Sequence, residues 1–428
     1  MGNELTWMGV IPEDWKSCPL KYIFEIQKRI AGKEGYTVLS ITQSGIKPKN
    51  MSAQGQYAQD YSNYQLVYPG DFAMNHMDLL TGWVDISRYE GVTSPDYRVF
   101  TVRDVAHYCP EYYKFIFQYC YSNKVFYGIG QGVSGFGRWR LPANMFLNFR
   151  LPVPPFNEQY VIASYLDGKV AYIDSIINEV KASIDEYKQW KASIIYEAVT
   201  KGLDPNAEMK GSGVEWIGDI PNSWDVLKLK YVIAFIESGV SVNASQSAAG
   251  EGKIGVLKTS SVSKYSFRPE ENKEVNLDEL GRVSCPVRAN TIIVSRMNTP
   301  ELVGACGYVE QDYPNLFLPD RLWQVHFLNS VVVKYIWYYL SSNYIRNYYS
   351  SLSSGTSSSM QNISQGQFEN AHLVLPPIET QSNIVKFLDR KCSVLDALID
   401  EKESLIANLE AYKKSLVYEV VTGKKRVF

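Results

Sequence analysis

The sequence predicts an α+β chain with an internal pseudo-two-fold repeat, in which two mixed α/β modules alternate with two long helices that pair as a coiled coil. Self-similarity is the first observation behind this. Sliding the chain by 209 places superposes Trp7, Gly9, Ile11, Pro12 and Trp15 on Trp216, Gly218, Ile220, Pro221 and Trp224. A slide of 222 brings Pro154, Pro155, Gln159, Ile162, Leu166 and Asp174 onto Pro376, Pro377, Gln381, Ile384, Leu388 and Asp396. The second observation is a pair of long helical periodicities, and the third is two β-rich stretches of unlike sequence between the matching borders. Residues 196–224 therefore hold the end of one copy, "YEAVTKG", and the start of the next, "WIGDIPNSW".

The modules, 1–150 and 201–372, contain short β-branched runs such as "NTIIVSRM", "GACGYVEQ", "YRVFTVRDV" and "RLWQVHFL", punctuated by Gly, Asn and Pro. Each also has a tyrosine-rich helical run, "PEYYKFIFQYCYSN" and "VVVKYIWYYLSSNYIRNYY". Core packing with wet hydroxyls is favoured for these tyrosines over a platform for stacked bases.

Each long helix follows a Pro-Pro pair, which fits just before a helix but not inside one. The helical pattern runs from Asn157 to about Lys201 and from Thr380 to about Thr422. Leu166, Ile173, Val180, Tyr187 and Ile194 recur every seven residues, as do Leu388, Leu395, Lys402, Leu409 and Leu416. Ile162, Ile176 and Trp190 supply a second stripe in the first helix, and Leu398, Leu405 and Tyr412 supply one in the second. A long amphipathic helix lying on a globular core is the plainer reading, but the matched lengths favour pairing. At 1.5 Å per residue, about 44 residues make a rod of roughly 65 Å, which can act as a ruler between two modules.

With 428 residues, 45% hydrophobic and 21% charged, the chain has the composition of a soluble multidomain protein. No apolar run is long enough for a bilayer, and the N-terminus lacks a signal-peptide pattern. Cys18, Cys109, Cys120, Cys285, Cys306 and Cys392 are scattered without a C-x-x-C pair, which favours buried thiols in a reducing compartment, the cytoplasm. The net charge of −2 implies no partner, unless charge is segregated.

It is segregated. No acidic residue occurs from Tyr112 to Asn157, nor from Arg321 to Phe368. These windows occupy equivalent places in the two copies, and each carries a small-residue loop, "GIGQGVSGFGRWR" or "SSLSSGTSSSMQN". Small residues admit close approach by a ligand, and the lack of carboxylates avoids repelling phosphates. A ligand-free surface loop would explain one such window, but two in register point to nucleic acid. The candidate phosphate or base-edge contacts are Lys47, Lys49, His76, Arg88, Arg138 and Arg140 in the first module. In the second they are Lys258, Lys264, Arg268, Arg296, Arg321, Arg346 and Ser357.

Catalytic signatures are missing. "VPPF" at 153–156 has Val153, and its repeat Leu375, where an adenine methyltransferase motif needs Asn or Asp. No glycine-rich cofactor loop and no Walker loop is present. Pro95-Asp96 and Pro319-Asp320 lack the rest of a nuclease signature and read as turns. His76, His107, His326 and His372 show no ligand spacing, so no metal site is expected.

"LPVPPFNEQYVIASYLD", "YEAVTKGLDPNAEMKGSGVEWIGDIPNSW" and "LVLPPIETQSNIVKFLD" resemble the conserved regions of the DNA-specificity subunit of type I restriction-modification systems, and the resemblance runs the full length. It implies two target-recognition domains joined by two long antiparallel helices forming a coiled coil. They would occupy 1–156 and 202–379 (with a junction at 202–215), the helices 157–201 and 380–428. Each domain would read one half of a bipartite, asymmetric site in double-stranded DNA. The helices would fix the gap and dock two methyltransferase (modification) subunits, with restriction/translocase subunits joining outside. S-adenosylmethionine, ATP and Mg would belong to those partners, leaving this chain non-catalytic. Thr380 departs from the Glu kept as Glu158 in the first copy. The family-like apolar run followed by Arg gives Arg296 in "TIIVSRM", whereas "DFAMNHM" has His76. Two rivals remain: a non-catalytic coiled-coil protein-interaction scaffold with weak or no DNA specificity, and a fused restriction-methylation enzyme, against which the missing motifs count.

Overall fold

Both Pro-Pro pairs lead directly into a long helix, Phe156–Thr200 and Ile378–Val421, within two residues of the sequence expectation at every end. Val153 and Leu375 close the preceding strands, Arg150–Val153 and His372–Leu375. These strands pair antiparallel with the equivalent strands Lys16–Pro19 and Asp225–Lys228, so Val153 and Leu375 are packing residues at strand ends. The protein is described by a computed structural model covering residues 7–49, 60–132, 139–357 and 360–427. The chain divides into two compact units, 1–181 with 403–428, and 182–402. Each long helix contributes one portion to each unit.

In the first unit the main sheet is antiparallel in the order Phe24–Gln27, Arg98–Val102, Phe72–Met74, Val84–Ile86. The second unit has the same order with Ile233–Ser238, Leu322–Phe327, Thr291–Ser295 and Cys306–Val309. The β-branched runs read from sequence are these strands. The rest differs: the second unit adds a four-stranded sheet, and the first has two separate strand pairs in its place.

The tyrosine-rich runs are helices, Pro110–Ser122 in the first unit and Val333–Leu340 with Asn343–Leu352 in the second. Tyr112, Tyr113, Tyr335, Tyr339 and Tyr349 are fully buried, so their rings fill the cores. In the first unit Phe24 meets Phe72, Phe100 and Tyr113 edge-on with centroids 5.4–5.5 Å apart, an arrangement favoured by the ring quadrupoles.

The repeated residues fasten each module to two helix ends. Gln159, fully buried, accepts from the amide of Cys109 at 2.9 Å and donates to the carbonyl of Pro154 at 2.9 Å. Its repeat Gln381 accepts from Val332 N at 2.8 Å and donates to the carbonyl of Pro376 at 2.8 Å. The Tyr112 hydroxyl donates to Val421 O at 2.8 Å and that of Tyr335 to Val199 O at 3.1 Å, again repeat equivalents. Tyr418 donates to Met8 O, and Tyr196 to Ile217 O, at 3.3 and 3.2 Å. Each helix stops at a left-handed glycine, Gly202 (φ +81°) or Gly423 (φ +73°), the usual helix C-terminal device. A β-carbon there would come within 3.0 Å of Trp224 or 2.5 Å of Pro12. "IPNSW" thus packs on "TKG" in the second unit, and "IPEDW" on "TGK" in the first.

Where the helix portions pack within a unit, the first seven-residue series holds in part. Leu166, Ile173, Leu388, Leu395 and Leu416 are buried, while Val180, Tyr187, Ile194, Leu398 and Leu409 are half-buried. The second stripe holds at Ile162, which is buried, and in part at Ile176 and Leu398, which are half-buried, and is corrected beyond them. Trp190 is 56% exposed, Leu405 43% and Tyr412 54%, so Leu405 is not an interface residue. The buried stripe lies one position later, at Ala163, Ile177, Ile184, Cys392, Ile399 and Val420. Lys191 and Lys413 also stand on it, and their polarity hid it from sequence reading. Lys191 pairs with Asp396 at 2.6 Å in the second unit, and its repeat Lys413 with Asp174 at 2.5 Å in the first. In the second unit Lys402 also lies over the Tyr187 ring, so numbers rise on one helix as they fall on the other, and the portions run antiparallel.

Candidate nucleic-acid interface

The sheet order brings the chain after the second strand of each main sheet beside the start of the last strand. In the second unit that puts Arg296 next to Arg321. The amide of Arg296 donates to Arg321 O at 3.1 Å, and its guanidinium Nε donates to Asp320 O at 2.9 Å. Arg321 itself is exposed, on the turn that Pro319-Asp320 makes before Leu322.

Three further candidates gather around one loop of this unit. Lys258 lies 3.8 Å and Arg268 3.7 Å from the Glu271 carboxylate, and Arg268 also donates to Ser260 O at 2.5 Å. The Arg346 guanidinium stacks over Tyr265, 4.1 Å from the ring centroid. Tyr265 holds a left-handed backbone (φ 56°), uncommon for a bulky residue, and Trp337 donates to its carbonyl at 3.0 Å. Lys258, Arg268 and Arg346 therefore shape the loop, and Lys264 is the exposed cation it presents. Ser357 lies in the strand Ser354–Ser357.

In the first unit Lys47 and Lys49 are exposed at the end of the hairpin Leu39–Thr42/Gly45–Pro48, and Arg88 is exposed beyond the strand Val84–Ile86. Arg138 lies outside the described residues. Arg140 is exposed in the short strand Trp139–Arg140, which pairs with Gln131–Gly132 at the foot of the small-residue loop.

His76 departs from the expectation of a surface contact. It is only 7% exposed, because it follows directly on the buried strand Phe72–Met74 and is covered by the segment at 139–141. Its carbonyl accepts from Leu141 N at 2.9 Å. Burial, with the charges of Arg98 and Arg140 adding to it, pushes the imidazole down to about 3, so the ring is neutral. Arg98 was missed by sequence reasoning. It opens the strand Arg98–Val102 and is 5% exposed, lies 4.7 Å from the Phe146 centroid and donates to Leu141 O at 3.0 Å. The signal was present: an arginine heading an otherwise apolar run in "YRVF", beside a Pro-Asp turn.

Among the described residues no cluster of His, Cys, Asp and Glu could hold a metal, and no helix is long and apolar enough to cross a membrane.

Residues 221–410 match the family model described as the type I restriction modification DNA specificity domain. That stretch covers most of the second module and most of the helix after it. Over that stretch the chain is similar to type I restriction-modification specificity subunits. It is 25% identical over 249 residues to the type I restriction enzyme EcoEI specificity subunit of Escherichia coli, covering 58% of this chain and 42% of that one. It is 27% identical over 303 residues to the MjaVIII specificity subunit of Methanocaldococcus jannaschii, covering 68% and 66%. The chain thus spans less than two thirds of the length of these relatives. The fold is similar to that of a solved chain from a study of complex assembly and conformational transition of the type I R-M system. The TM-score is 0.66 at 14% identity, covering 96% of this chain and 98% of the other.

Proposed function

We propose that this chain is the non-catalytic, sequence-reading subunit of a type I restriction-modification complex, binding a bipartite, asymmetric target in double-stranded DNA. The observation that carries the reading is one sheet order built twice, on equivalent mounts, with unlike filling. Two copies of one scaffold with different loops suit two different half-sites. Target-recognition domains at 1–156 and 202–379 each present exposed cations, Lys47, Lys49, Arg88 and Arg140 in one and Lys264 and Arg321 in the other.

The two long helices pair antiparallel as a coiled-coil spacer and set the distance between half-sites. Half-sites read from one side of a duplex lie about 34 Å, one helical turn, apart. A spacer of about 45 residues, roughly 65 Å long, is sufficient for that separation. The helices also dock two methyltransferase subunits, with restriction/translocase subunits joining the assembly. S-adenosylmethionine, ATP and Mg are held by those partners, in the cytoplasm.

Shortening both helices by one heptad each tests the reading. Methylome mapping in a host expressing the whole system should show both half-sites retained and the gap between them changed. An unchanged gap refutes the spacer. A gel shift of the assembled complex showing no preference for its target over scrambled duplex would leave the scaffold reading in its place.

A further inference from the structure

We propose that Arg140, backed by the buried Arg98 and the neutral His76, forms an anion socket at the surface of the first unit that takes one phosphate of the DNA backbone. This deepens the DNA-reading proposal and rests on it. Arg98 is 95% buried, and its Nη1, like the Nδ1 of the buried His76, has no hydrogen-bond partner among the described residues. Its other contacts are a neutral carbonyl, Leu141 O, and the face of Phe146. Among the described residues no carboxylate forms an ion pair with it.

A buried guanidinium without an anionic partner is costly, and in a weakly polarisable interior its field reaches far. That field meets the surface at Arg140. The backbone joins the three groups: Leu141, next to Arg140, donates to His76 O at 2.9 Å and accepts from Arg98 at 3.0 Å. Arg140 is the contact, and Arg98 is a positioning residue that fixes the neighbouring carbonyl and adds charge behind it. His76 occupies the place that Arg296 holds in the other unit. There the guanidinium comes from the second strand, and here the neighbouring last strand supplies it. A neutral His76 leaves room for Arg98 without setting two buried cations side by side.

The decisive measurement is the salt dependence of DNA binding by the full chain assembled with its modification subunits, on a duplex carrying the mapped target and on a scrambled one. Arg140→Ala and Arg98→Met are expected to weaken both duplexes alike, by about tenfold, and to lower the slope of log K against log salt by about one. Arg98→Lys, which keeps the charge, should retain the slope. One methylphosphonate position in the first half-site should cost the wild-type complex a similar factor and cost Arg140→Ala nothing. Unchanged affinity and slope in Arg140→Ala and Arg98→Met overturn the socket, and so does a changed base preference at a single position. Should Arg98→Met lower the melting temperature, Arg140→Ala and the methylphosphonate scan decide. A wild-type complex with no preference for its target sinks the DNA-reading proposal itself, which is a separate result.

Discussion

The two units share their main-sheet order and their mounts but little else. In both, a buried glutamine opens a long helix and bonds the segment before a tyrosine-rich helix. In both, a fully buried tyrosine caps a carbonyl near the end of the other long helix. Away from these points one unit has a second four-stranded sheet with its own apolar core, and the other has two strand pairs around a smaller one. Hydrogen bonds of buried polar groups tolerate almost no substitution, whereas a surface loop needs only to keep its ends in place. The contrast teaches that the repeated residues hold the frame and the unlike residues fill it.

The largest test of that division exchanges the filling. A chain whose residues 20–150 are replaced by 229–372 keeps both mounts and is expected to read the second half-site twice. Methylome mapping should then return a symmetric target. A target still carrying the original first half-site would mean that specificity lies in the frame.

Next in size are the glutamines. Gln159→Leu removes the partners of two buried backbone groups, and Gln381→Leu does the same in the second unit. Each unsatisfied group costs about 1–3 kcal/mol, so each variant should lose about 2–6 kcal/mol. Amide exchange is expected to show the loss in the altered unit. Equal losses support equivalent mounts, while a loss in only one unit breaks the equivalence.

A pH test separates the units. His76 is pushed down to about 3 in the folded chain, against about 6.5 when unfolded. Below pH 6.5 the unfolded chain takes up a proton that the folded one does not, so stability is fully present above that pH and falls as the solution is acidified toward 3. At pH 5 the loss is about 2 kcal/mol. Urea melts between pH 7 and 5 should show this slope in the wild type and a flatter one in His76→Asn. The second unit has an arginine at the equivalent place and no such slope from that position.

Much of this architecture was legible in the sequence. The Pro-Pro pairs are covalent constraints and the helix ends recur in both copies, so helix limits could be read to within two residues. The first heptad series was legible because leucine and isoleucine dominate it. The second stripe was misplaced by one position because Lys191 and Lys413 stand on the buried seam while Trp190, Leu405 and Tyr412 stand off it. Aliphatic lysine stems can cover an apolar seam with the ammonium at its edge, and a hydropathy pattern sees only the charge. The burial of His76 was illegible for a related reason. Burial of a polar residue depends on what the chain lays over it, here the segment at 139–141, which lies far away in sequence.

The smallest effect concerns the paired lysines themselves. Lys191–Asp396 and Lys413–Asp174 are repeat equivalents, and in both the lysine is mostly covered while about half of the aspartate side chain faces solvent. Solvent screening limits each pair to about 0.5–1 kcal/mol. Lys191→Met and Lys413→Met should therefore each cost no more than that in urea melts of the full chain, and 1 M salt should erase most of the difference. Reversing both partners within one unit, Lys191→Asp with Asp396→Lys, should recover part of the loss, whereas Lys191→Asp alone sets two carboxylates together. A methionine variant that costs several times more in one unit than in the other would show that the seams differ. The likeness of the two units would then stop at the glutamine and tyrosine mounts and not extend along the helices.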